Sequence, residues 1–167
     1  AYMHHLLSLF QTRSSMADIY GDKLVRERML QAESSRKKLV KLVSERTTIT
    51  DRLAICRLED TGYRSNGYLI TAFCGEDADA CCIIHGYSDG QIGNKLRPPL
   101  SASFYANSFL PDGQNRYDLS RLATVLDPHG GGHANACGCR IQPPGLDSNL
   151  SMWLAMWNDR EETLRLS

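Results

Sequence analysis

Apolar residues up to Arg46 recur at steps of three and four, and beyond it the pattern changes to short apolar runs cut by turn residues. Leu6, Leu7, Leu9 and Phe10 predict a short helix over residues 2–13, with Ser14 and Ser15 supplying a break and a cap. From Met16 to about Arg46, Val25, Met29, Ala32, Arg36, Leu39 and Val43 fall on one helical face. Arg26, Glu27, Glu33, Lys37, Lys38 and Lys41 fall opposite, so an amphipathic helix is expected, divisible at Gly21. Thr47 to Asp51 ends the helical section. Leu53–Leu58, Tyr68–Cys74 and Ala80–Ile84 then read as strands, separated by Asp60-Thr61-Gly62, Ser65-Asn66-Gly67 and Gly75 to Asp79. A fourth run covers Leu100–Tyr105. Asp118 predicts the cap of a short helix carrying Leu119, Leu122, Ala123 and Leu126, Cys139-Arg140-Ile141 a last short strand, and Leu150–Leu166 a closing helix. Strands in succession followed by helices predict an α+β fold: a mixed β-sheet with helices packed mainly on one face, preceded by a long linker helix. The corresponding division is a helical linker over 1–48 and a sheet domain over 49–167.

Charge and cysteine content narrow the function classes. Nineteen basic residues balance nineteen acidic ones, which disfavours non-specific grip on duplex nucleic acid through net positive charge. A local phosphate site remains open, because a few backbone amides and one or two cations suffice for it. Four of the six cysteines lie within apolar runs, where a thiol behaves as a small buried hydrophobe. No spacing suggests a disulfide framework, so a reducing, cytoplasmic compartment is expected. No stretch approaches the roughly 20 apolar residues of a membrane span, and no basic segment followed by a long apolar run suggests a signal peptide. The opening residues run straight into an apolar pattern without a helix cap, as in a chain entered in mid-element.

The segment Asp127-Pro128-His129-Gly130-Gly131-Gly132-His133 carries the candidate chemistry. Three consecutive glycines cost backbone entropy and add nothing to a core. Close approach of the backbone to a ligand would explain them, with glycine N–H groups converging on an anion and a helix starting at the loop adding its positive end. His133 supplies a further donor, and a cation when protonated. A plain flexible turn with a surface histidine is the alternative.

Gly131, Gly132, His133, Ala136 and Gly138 match the pattern Gly-Gly-His-x-x-Ala-x-Gly. In this the chain, over about residues 50–142, resembles the DHH-associated domain that follows the catalytic domain in DHH phosphoesterases. That superfamily includes exopolyphosphatase-like proteins and nanoRNase-type oligoribonucleases. The resemblance implies a domain that binds phosphate or nucleotide, closing over a substrate held at the metal site of a covalently linked catalytic domain. It implies contacts from Gly130, Gly131, Gly132 and His133 to a short oligonucleotide, nucleotide or polyphosphate. It also implies a divalent metal, manganese, in the catalytic domain and no cofactor on this part. No Asp-His-His triplet of the catalytic kind occurs in the chain, since His4-His5 follows Met3. Two departures stand out. His129 replaces a leading glycine, and the strand that carries Ser-x-Arg-Ser in the family reads Ser103-Phe104-Tyr105-Ala106, without the arginine. Arg116 or Arg97 is the expected replacement cation, or Tyr105 stacks on a base.

Other classes compete. His129, His133, Cys137 and Cys139 could hold a structural zinc, and Cys137 or Cys139 with His133 could form a thiol enzyme. Met152, Trp153, Met156 and Trp157 share one helical face, read either as core or as a docking surface for the catalytic domain or a second copy, which makes a homodimer a candidate.

Overall fold

The computed structural model describes residues 2–12, 15–110 and 116–166. Arg13 and Ser14, on which part of the first predicted helix and its break fall, lie outside the described residues. The chain divides into two compact units, Ala1–Lys41 and Leu42–Ser167.

The first unit contains α1 (Tyr2–Thr12), α2 (Met16–Gly21) and most of α3 (Lys23–Arg46). Ser15 caps α2, its hydroxyl accepting the Asp18 N–H at 3.3 Å. The helix breaks at Gly21, and Asp22 starts α3 by accepting the Leu24 and Val25 N–H groups at 3.0 and 3.1 Å. Leu9, Ile19 and Val25 form its small core. Of the apolar stripe expected on α3, only Val25 and Val43 are buried, whereas Met29, Ala32 and Arg36 are exposed.

The second unit is built on a six-stranded mixed sheet of order β1-β2-β3-β4-β6-β5. Its strands are β1 (Thr47–Thr50), β2 (Leu53–Leu58), β3 (Ala80–His85), β4 (Ser101–Ala106), β5 (Gly131–His133) and β6 (Ala136–Arg140). β2 and β3 run parallel and the other neighbours antiparallel. A parallel pair needs a crossover, and α4 (Gly67–Cys74) supplies it. This corrects the strand expected at Tyr68–Cys74. The segment is rich in β-branched and aromatic residues, but Asn66 accepts the Leu69 N–H at 3.2 Å and starts a helix, and burial of Ile70, Thr71 and Cys74 holds it.

Strand alternation sorts the sheet into two faces. One face carries Leu53, Ile55, Ala80, Cys82, Ile84, Ala102, Phe104, Cys137 and Cys139. It is covered by α5 (Ser120–Thr124), α6 (Leu146–Asn158) and α7 (Arg160–Thr163) through Leu122, Ala123, Trp153 and Trp157, with Leu164 just beyond α7. Trp153 meets Phe104 edge-to-face at 5.0 Å. Both tryptophans are fully buried, so the docking surface considered for them is instead core. On the other face α4 packs over β2, β3 and β4. Most helices thus lie on one face, as the sequence predicts.

β1 is not among the expected strands, and the expected boundary at 48/49 falls inside it. The β1–β2 turn consists of Asp51 and Arg52, both at positive φ (45° and 67°). Arg52 donates to both oxygens of Asp79 at 2.9 and 2.6 Å, and the Trp157 indole N–H donates to the Asp51 carbonyl at 2.8 Å. Asp118, as expected, caps α5, its carboxylate accepting the Ser120 N–H at 3.1 Å. Among the described residues no helix is long and apolar enough to cross a membrane.

Candidate functional site

The glycine segment is not a loop leading into a helix. Gly131–His133 forms the edge strand β5, paired antiparallel with β6 in a hairpin. In an extended strand successive N–H groups point to opposite sides, so the three amides do not converge on one anion. The Gly130 N–H is used internally, donating to the Asp127 carbonyl at 2.9 Å. Each glycine has its own reason. A Cβ on Gly130 would sit 2.3 Å from the carbonyl oxygen of Ala123, so α5 demands glycine there. Gly132 has φ +137° and would place a Cβ 2.6 Å from the Ala136 oxygen. At Gly131 nothing stands within 4 Å of a Cβ position, so space is open above that residue.

Register then assembles the expected residues. Ser103 pairs with Gly138 and Gly138 with Gly131, one continuous rung on the side of the sheet away from the main core. The next rung is Tyr105, Ala136 and His133. Because α4 stops at β4, Gly131, Ala136 and Gly138 are half-buried and His133 is exposed on an otherwise uncovered strip. Four expected residues, Gly131, His133, Ser103 and Tyr105, therefore share one face. Gly132 alternates to the opposite side and Gly130 lies beneath α5.

Arg116 does not join them. It lines a small cavity with Asp79, Ala80, Ala106, Leu110, Tyr117 and Leu119 at the far end of β4, and its charge bears on Glu161. Arg97 is engaged by both oxygens of Asp89 and stacks over Tyr87 at 4.7 Å. The cation that sequence reasoning missed is Arg140. It ends β6 in the rung His85, Ser101, Arg140, one step along the same face from Ser103 and Gly138. Its side chain is exposed and forms no ion pair among the described residues, whereas Arg46, Arg52, Arg57, Arg97, Arg121, Arg160 and Arg165 each have a carboxylate. Strand alternation from Gly138 would have found it.

Two further groups frame the strip. Asp127 accepts the backbone N–H of Arg140 at 2.8 Å and of His129 at 3.0 Å, tying the turn before β5 to the end of β6. The Arg140 amide and then the His129 amide hold its carboxyl below the usual range. His85 is 3% exposed with no hydrogen-bond partner for Nδ1. Burial, and after it the nearby charge of Arg64, likewise without an ion pair among the described residues, lowers its pKa to about 4. The strip thus has an unpaired cation on β6, a second near His85, and serine hydroxyls between them on β4.

The zinc and thiol readings fail on this geometry. His133 lies on the open face, whereas Cys137 and Cys139 point into the core on the other. Burial pushes both thiols up to about 12, far from a reactive thiolate. Among the described residues no group of three or more His, Cys, Asp or Glu side chains is placed to hold a metal ion.

No family model matches the chain, and no curated protein does. Solved structures do match. A pGpG-specific phosphodiesterase, PggH from Vibrio cholerae, is 15% identical with a TM-score of 0.72, over 98% of this chain and 52% of that one. An exopolyphosphatase-related protein from Bacteroides fragilis is 14% identical with a TM-score of 0.52, over 95% of this chain and 43% of its own. The DHH domain of a member of a family of ribosomal proteins is 14% identical with a TM-score of 0.51, over 86% of this chain and 34% of its own. The chain spans about half the length of the first and less of the others. At these identities the likeness is one of fold, the fold that the glycine–histidine segment leads one to expect.

Proposed function

We propose that this chain, sharing its fold with DHH-type proteins, is the substrate-holding part of a metal-dependent DHH phosphoesterase. It binds the phosphate of a nucleotide or polyphosphate substrate on the open strip of β4, β6 and β5. The observation that carries this reading is the rung Ser103–Gly138–Gly131, with open space above Gly131 and with Arg140, which has no ion pair among the described residues, one step away. Two glycines side by side leave a shallow floor on which an anionic group can lie close to the backbone. Ser101 and Ser103 offer hydroxyl donors, His133 an imidazole donor, and Arg140 a forked cation suited to phosphate. Each charge-assisted hydrogen bond of this kind contributes about 1.5–3 kcal/mol, so two or three hold a phosphate without net basic charge. Arg140 takes the part that the arginine missing from the Ser103 strand plays in the family pattern.

Two of the similar structures are named for pGpG and exopolyphosphatase chemistry, and both substrate types are phosphoesters or phosphoanhydrides that such a strip accommodates. The divalent metal that activates water in two-metal hydrolysis is assigned to the linked catalytic domain, because the described residues of this chain present no cluster of ligands for it. The work of this part is to orient the substrate and screen its charge. Titration calorimetry of the 167-residue chain with pGpG and with tripolyphosphate tests the reading. Saturable binding of at least one ligand is expected, weakened in Ser103→Ala, which removes a hydroxyl donor from the rung, while the thermal midpoint stays within a few degrees. Wild-type affinity in that variant overturns the assignment. The chain alone should turn over neither ligand with manganese present, and hydrolysis would contradict the division of labour.

A further inference from the structure

Beside the strip stands a pair of rings that the fold leaves in solvent. Tyr68, in the first turn of α4, is 65% exposed, and Phe109, three residues beyond β4, is 56% exposed. Their centroids lie 6.4 Å apart with planes at 80°, an edge-to-face pair that leaves ring surface free for a third partner.

Both rings are held in place from beneath. Asn107 is 4% exposed, and its side-chain amide donates to the carbonyls of Gly75 and Ala78 at 2.7 and 2.8 Å. Its Oδ1 accepts the Phe109 N–H at 3.0 Å, and its own N–H donates to the Asp79 carbonyl at 2.8 Å. A buried, fully engaged asparagine thus fixes the backbone at a residue whose apolar ring is presented outward. Tyr68 is fixed by its neighbour Gly67, which lies so close to Tyr105 that an added Cβ would stand 2.2 Å from the ring carbon Cγ. Tyr105 belongs to the rung next to Ser103, Gly138 and Gly131. The ring pair therefore adjoins the phosphate strip at the Ala106 end of β4, on the α4 side of the sheet. Same-face positions along a strand are roughly 6.6 Å apart, so Tyr105 lies one such step from Ser103 and the rings lie beyond it.

We propose that Tyr68 and Phe109 are a base-stacking platform, which makes the ligand of the strip a short oligonucleotide or nucleotide in preference to inorganic polyphosphate. The inference rests on the phosphate-strip reading above and adds the class of substrate to it. Stacking on an aromatic face is tolerant of base identity, so the platform selects for a base and not for a particular one. A phosphate lies over Gly131 and Ser103, and the ligand runs past Tyr105 to place a base on the rings.

The test is calorimetric titration of the 167-residue chain and its variants with pGpG and with tripolyphosphate in parallel. Tyr68→Ala and Phe109→Ala should each weaken pGpG by roughly 5- to 150-fold, the equivalent of losing one stacked base, and leave tripolyphosphate unchanged. Tyr68→Phe should retain most of the pGpG affinity, since the ring and not the hydroxyl is used. Arg140→Ala should weaken both ligands. Thermal midpoints provide the folding control, and both rings are exposed enough for alanine to be tolerated. If Tyr68→Ala and Phe109→Ala leave pGpG unchanged while Arg140→Ala weakens it, the platform is refuted and the phosphate strip stands. Equal wild-type affinity for the two ligands also refutes the platform. Absence of saturable binding by either ligand removes the strip and the platform together.

Discussion

Replacing Arg140 with alanine isolates the cation that β6 places on the open strip. The structure gives the change a small folding cost. Arg140 is exposed at the end of β6, its guanidinium has no carboxylate partner among the described residues, and the link to Asp127 is made by its backbone N–H, which alanine keeps. Surface changes of this kind fall within about 0.5 kcal/mol. The binding cost is different. Losing a charge-assisted hydrogen bond removes about 1.5–3 kcal/mol, equivalent to a roughly 10- to 150-fold rise in Kd. Arg140→Lys should fall between, because it keeps the charge and loses the planar fork. The lost contact should also flatten the dependence of affinity on salt, since the strip is open to solvent and its electrostatics are screened. Titration calorimetry at two salt concentrations, with urea unfolding as the control, measures both. A Kd for Arg140→Ala within twofold of wild type for every phosphate ligand, with stability intact, would refute the reasoning that places an anion on this face.

Further expectations follow from packing and protonation. Gly130→Ala should destabilise by about 1–3 kcal/mol in urea unfolding, as overpacking does, because its Cβ meets the Ala123 carbonyl oxygen at 2.3 Å. Trp153→Ala should cost about 3–5 kcal/mol, because the indole is 1% exposed and packed on Phe104; a loss under about 1 kcal/mol would show that the indole is not core. His85 takes up its proton near pH 6.5 when unfolded and at about 4 when folded. The unfolded state therefore binds more protons in that window, and stability should fall as pH drops from about 6.5 towards 4, with no contribution above it. Urea midpoints of His85→Gln should lack that component, and parallel pH profiles for the two proteins would exclude His85 as its source.

Much of this architecture was open to reading along the chain. The break at Gly21, the strands at Leu53–Leu58, Ala80–Ile84 and Leu100–Tyr105, and the helix after Asp118 announce themselves through periodicity and local capping. β1 did not, because its turn has no glycine. Asp51 and Arg52 take positive φ without one, held by Asp79 and Trp157 from distant parts of the sequence. α4 was hidden because Tyr68, Ile70, Thr71 and Phe73 have strand-like composition. The parallel pairing of β2 with β3 requires a crossover, which only the assembled sheet shows. The glycine triplet was visible as a feature, but its division into a close approach at Gly130, positive φ at Gly131 and Gly132, and open space above Gly131 depends on α5 and β6.

By itself the sequence singled out residues 127–138 as the candidate site, marked Ala80–Ile84 as a short apolar strand, and carries no Asp-His-His triplet. A period of two assigns neighbouring side chains to opposite sides wherever a strand forms. It does not say which side a helix will cover. That was decided in three dimensions: α5, α6 and α7 land on one face and bury Cys137, Cys139 and both tryptophans, and α4 stops short on the other. Gly138, Gly131, His133 and Arg140 are left together at the margin beyond the strands that α4 packs over, with Ser103 on the strand that borders it.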